Sequence, residues 1–268
     1  MTICDQVRSI ETQMRQDCPE MVAEAERIAD VIIDPATADA EACWSILWDK
    51  PLYAYTRVEI ADGYRQHLLP FVAGREWQQW SDPERPWLVL NGPANRDASF
   101  RFTPWAPDDL KGLRIARGRL FAVQGAARAL KRWADQSETP LAAMMDRDPE
   151  ELLQDLRSAL GPHWGHITIM HFLTDAGLFC KPDRWLVRTV RHLGLCETVR
   201  ADRGVPTRAE AILIDRAVKQ IVRDLDGSLT PRRLRYIDKI LMEAGKQGVI
   251  DCLPTPSRDT EPAPKDRP

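Results

Sequence analysis

The sequence predicts an all-α fold, with room for one small β-hairpin in its N-terminal half. Three observations lead there. Apolar residues recur at steps of three and four along most of the chain, as in 2–15 and 20–33. Helix-start residues (Asp or Thr followed by Pro or acids) and helix-stop glycines punctuate those runs. Only 86–104 breaks the pattern, with the short pieces Trp87-Leu88-Val89-Leu90 and Ser99-Phe100-Arg101-Phe102 around Asn91-Gly92-Pro93, which read as two strands about a loop.

In order, helices are expected over 2–15 and 20–33, the second closed by Asp34-Pro35. Helices over 37–48 and 58–69 follow, separated by a turn containing Pro51. Beyond Pro107 the period returns over 108–136, with Gly112 and Gly118 as candidate breaks, and again over 140–145. Asp148 is a helix cap, Pro149 suits the first helical position, and Glu150 and Glu151 suit the first turn. That helix runs to Leu160 and stops at Gly161-Pro162. The next runs from Gly165 to Ala176 with Gly177 past its end, and Lys181-Pro182-Asp183 opens another that ends at Gly194. Segments 206–225 and 230–244 complete the set, and the Pro-rich, charged 253–268 is expected to be disordered.

Composition narrows the class. No apolar run approaches the roughly 18–20 residues of a bilayer span, so no membrane partner is expected. The first 15 residues carry acids and no apolar core, so no secretory leader is expected. Cys4, Cys18, Cys43, Cys180, Cys196 and Cys252 are scattered without a C-x-x-C pair, which reads as reduced thiols in a cytoplasmic protein with no cofactor. The 37 Lys/Arg and 40 Asp/Glu give a net charge of −3, but the charges are unevenly spread. Residues 1–110 hold 10 cations against 19 anions, and 111–247 hold 24 against 17. Neutrality of the whole therefore hides a basic region suited to a polyanion, although helical proteins often carry many solvated Arg.

The informative stretch is 148–195. Gly161-Pro162-His163-Trp164-Gly165 joins two helices through a very tight turn whose glycines permit close backbone approach. The following helix offers free N–H groups that suit a phosphate, whereas an ordinary helix–helix turn is the default for a lone G-x-x-x-G. Asp183 follows Pro182 and lies 18 residues after Gly165, and it also suits an N-cap.

Taken together, Gly161-Pro162-His163-Trp164-Gly165, Lys181-Pro182-Asp183, Leu186-Val187-Arg188 and Leu193-Gly194 resemble the helix-hairpin-helix DNA glycosylases. The resemblance covers about 50 residues strongly, extends loosely over 111–252, and leaves 1–110 as a divergent acidic region. It implies two helical subdomains and a base-excision enzyme acting on double-stranded DNA. The hairpin grips backbone phosphate, a nucleotide is flipped out, and its N-glycosidic bond is broken, with Asp183 as the catalytic carboxylate. Gly161, His163, Trp164, Gly165, His166, Ile167, Thr168, Lys181, Arg184 and Arg188 are the implied DNA-facing residues. Where bifunctional relatives carry a nucleophilic Lys, this chain has Ile167 beside Thr168, so water is the expected nucleophile and an abasic site the product. Lys181 is the one nearby amine, and a phosphate-facing or solvated role is its expected one.

Other residues carry weaker signals. Gln124 is a candidate for probing the base stack, with a surface Gln as the default, and His171 for lining a pocket. His163, His166, His171 and Cys180 match no metal spacing, so no metal is expected. Trp164 has packing beneath the hairpin as its default role. Arg184, Arg188 and Arg191 fall on one helix face that is either solvated or turned to phosphate. Trp44, Trp48, Tyr53, Tyr55, Trp77 and Trp80 are core candidates, one or two of which would suit stacking on an extruded base. Base identity is open between damage and a hypermodified phage base, the latter implying defence. The rivals are a non-catalytic DNA-binding protein and a helical interaction module in which Asp183 only caps its helix.

Overall fold

The computed structural model describes residues 2–54, 56–72, 74–81, 117–162, 164–196, 199 and 205–252. Within them the fold is all-helical and contains no strand. The strand-like pieces at 87–90 and 99–102, and the tail at 253–268, lie outside the described residues. No helix among the described residues is long and apolar enough to cross a membrane.

The chain forms two compact units, neither of them a continuous stretch. The first combines residues 1–30, 182–229 and 236–268; the second combines 31–181 and 230–235. In the first unit, α1 (Ile3–Asp17) starts at Thr2, whose hydroxyl accepts from Asp5 N while the Asp5 carboxylate accepts from Thr2 N. It packs on α2 (Pro19–Asp30), on α10 (Arg208–Asp226) and on the short turn Val249–Cys252. Val7, Ile10 and Met14 form its buried stripe. Helix α9 (Arg184–His192) buries Leu186, Val187 and Val190 and packs on α10. Helix α11 (Pro231–Gln247) comes close enough to α9 that a Cβ at Gly245 would lie 2.4 Å from the Trp185 carbonyl. Thr189 Oγ1 donates to the Leu241 carbonyl at 2.8 Å and fixes the register of that crossing.

The second unit holds α3 (Ala40–Leu47), α4 (Lys50–Tyr53), α5 (Val58–Val72), the 3₁₀ segment Gly74–Ser81, α6 (Arg117–Gln136), α7 (Pro149–Leu160) and α8 (His166–Asp175). Helix α6 is its centre, packing on α3, α4, α7 and Gly74–Ser81 with Val123, Ala126, Ala127 and Leu130 fully buried. Trp44, Trp48, Trp77 and Trp80 are buried here, as core residues, and Trp44 Nε1 donates to the Val72 carbonyl at 2.7 Å. Each such side chain removed from water stabilises the fold by about 1.5–3 kcal/mol.

Two local expectations are corrected. Residues 50–53, expected as a turn containing Pro51, form the one-turn helix α4, because Pro51 sits in the first helical positions, where its missing N–H is harmless. The segment 140–145 is only a 3₁₀ turn, Ala142–Met144; Met145 turns extended and Asp146 takes a positive φ of 58°, which stops propagation.

Candidate functional site

The helical hairpin forms from local chemistry. Asp148 accepts from the N–H groups of Glu150 and Glu151 and starts α7. Gly161 ends it with φ 96°, a conformation that favours glycine. Trp164 N donates to the Gly161 carbonyl at 3.2 Å, and α8 begins after Gly165 with no side-chain cap. Among the described residues, a Cβ at either glycine would meet nothing within 4 Å, so none of them covers the backbone of the turn at these two positions. Trp164 is fully buried, and its indole donates to the Ala122 carbonyl at 2.9 Å. Its work is to hold the turn against α6. His166, Ile167 and Thr168 form the half-exposed first turn of α8, and His163 lies outside the described residues. Gln124 is mid-helix in α6 and only 4% exposed, so it is a buried helix residue and not the surface Gln expected by default.

Asp183 belongs to the first unit. Its Oδ1 accepts from Trp185 N and Leu186 N, both at 2.9 Å, and so caps α9. Both bonds fall on the same oxygen, which leaves Oδ2 without a hydrogen bond among the described residues. Arg184 is exposed and lies over the Trp185 ring at 4.3 Å. Arg188 is engaged within the unit: it pairs with Asp251 at 2.6 Å and donates to the Gly245 carbonyl at 3.0 Å. Of the Arg face expected on this helix, Arg188 therefore ties α9 to the turn Val249–Cys252.

A second polar centre, which sequence analysis misses, lies in the second unit. Lys50 Nζ sits 2.8 Å from Asp49 Oδ1 and 2.7 Å from Asp175 Oδ2, with only 7% of its side chain exposed. Arg65 Nε reaches Asp49 at 2.9 Å and Arg235 Nη2 reaches Asp175 at 3.3 Å. Burial alone would push the Lys50 amine down, but Asp175 and Asp49 outweigh it and hold it above its ordinary value. Tyr53 donates to Asp62 at 2.6 Å and meets His171 edge to face at 6.1 Å. The one cue in sequence is the pair Asp49-Lys50 set between the apolar Leu47-Trp48 and Pro51-Leu52.

His171 belongs to this centre, with Nε2 3.9 Å from Asp175 Oδ2. Burial first, then the charges of Lys181, Lys50 and Arg235, push its imidazole well below the ordinary 6.5. The unfolded chain therefore takes up a proton that the folded chain refuses, and stability falls as pH drops through about 6.5. His171→Gln is expected to flatten that slope between about pH 7.5 and 5.5 in urea unfolding; an unchanged slope would contradict it.

No group of three or more His, Cys, Asp or Glu able to hold a metal occurs among the described residues. All six cysteines are free. Comparison with protein-family models, curated proteins and solved structures finds no match.

Proposed function

We propose that the protein is a monofunctional DNA glycosylase that hydrolyses the N-glycosidic bond of a modified base and leaves an abasic site. The observation that carries the reading is the Asp183 carboxylate, part-buried and fixed through one oxygen at the start of α9, with its other oxygen uncommitted. A carboxylate held this way stabilises positive charge that develops on a sugar as the C1′–N bond breaks and the electron pair leaves with the base. Water then bonds to C1′ and gives one proton to Asp183, which passes it through solvent to the departing base and returns to its carboxylate form. Ile167, at the position where an amine would form a Schiff base, offers no nucleophile. The open glycine turn and uncapped start of α8 suit a backbone phosphate.

The test is incubation with a panel of modified duplexes and hypermodified phage DNA, scored for strand breaks before and after alkali. Breaks that need alkali are expected; a borohydride-trapped protein–DNA adduct would overturn the water mechanism. A second expectation concerns the turn itself. Gly165→Ala meets no steric obstacle among the described residues and should cost at most about 1 kcal/mol of stability, yet its methyl group should weaken duplex binding by reducing backbone access. Undiminished affinity by fluorescence anisotropy would remove the turn from the DNA contact.

A further inference from the structure

A groove of about 370 Å³ runs between α6 and the last turn of α7, bounded by Gln124, Arg128, Arg132, Ser158, Gly161 and Pro162. Gln124, Arg128 and Arg132 recur every four residues, so they stand on one face of α6 about 6 Å apart. That step is close to the separation of successive phosphates on a nucleic-acid strand. A Cβ at Gly125 would lie 2.2 Å from the Leu160 carbonyl, so the floor of the groove is two backbones in close contact. Among the described residues, no carboxylate lines it.

Both guanidiniums are exposed, and neither pairs with a carboxylate among the described residues. Arg128 Nε donates to the Ser81 carbonyl at 3.2 Å, and Arg132 Nη2 donates to the Ala159 carbonyl at 2.8 Å. Each bond uses one of the five N–H donors of a guanidinium. Capping the C-terminal end of α7 explains the Arg132 bond but asks nothing of Arg128. We infer that this groove seats the sugar–phosphate backbone of a DNA strand, continuing from the Gly161 turn along α6, with Arg128 and Arg132 on successive phosphates. The inference rests on the DNA-directed reading above.

The test is a salt titration of binding to an unmodified duplex, read by fluorescence anisotropy. It compares the wild-type chain with Arg128→Gln, with Arg128→Gln/Arg132→Gln, and with Arg147→Gln as a control. Arg147 pairs with Asp155 and does not line the groove. Removing one Arg from a phosphate lowers the slope of log K against log salt by about one. The slope should fall by about one in the single variant, which keeps the Arg132 bond, and by about two in the double variant. The control should keep the wild-type slope, and the control and Arg128→Gln should keep its thermal unfolding midpoint, whereas the double variant also loses the Arg132 cap on α7. An unchanged slope in Arg128→Gln, or an equal fall in the control, overturns the groove and leaves the glycosylase reading standing. A wild-type chain that binds no duplex overturns both. Binding through the groove without release of any base overturns the glycosylase reading alone.

Discussion

Replacing Lys50 with alanine is expected to lower the unfolding free energy by about 3–5 kcal/mol, a large share of the roughly 5–15 kcal/mol typical of a folded protein. The reason is the position of the charge. The ammonium lies between Asp49 and Asp175, and the side chains of Lys50 and Asp49 are only 7% and 8% exposed. Removing it leaves two carboxylates facing one gap, with Arg65 and Arg235 holding only their outer oxygens. Asp175 ends α8, so the end of the hairpin's second helix loosens as well. Urea unfolding checks this, and the variant Lys50→Met/Asp49→Asn/Asp175→Asn should recover part of the stability, because no carboxylate is left facing the gap although Arg65 and Arg235 lose these partners. A fall under about 1 kcal/mol would mean that the network behaves like an exposed ion pair.

The features legible in the sequence are those made by neighbours along the chain. Asp148 and Asp183 are readable as caps because a cap bonds N–H groups two and three residues on. The turn at Gly161 is readable because its backbone angle favours glycine. What is not legible depends on residues brought together from far apart. Lys50 meets Asp175, Arg188 meets Asp251, and Trp164 meets the Ala122 carbonyl. No local period encodes such partners, so an Arg that reads as a phosphate ligand is engaged at Asp251, and a buried Lys goes unnoticed. The discontinuous make-up of both units has the same origin, since the helices of each are distant in sequence.

The second large effect concerns Asp183. Asparagine is as good an N-cap as aspartate, so Asp183→Asn keeps the bonds to Trp185 N and Leu186 N and should fold normally. It loses the negative charge, and with it the stabilisation of the sugar cation and the proton acceptor for water. The expected fall in base release is roughly 10³-fold. Asp183→Ala should lose activity and about 1 kcal/mol of stability besides, which separates the cap from the chemistry.

The most direct measurement is single-turnover release of the base from a cognate modified duplex, scored as alkali-labile sites, for wild type and Asp183→Asn at saturating protein. The account predicts equal duplex affinity, alkali-dependent breaks from the wild type, and a rate roughly 10³-fold lower for the variant. Equal rates would contradict it and leave Asp183 as a helix cap alone.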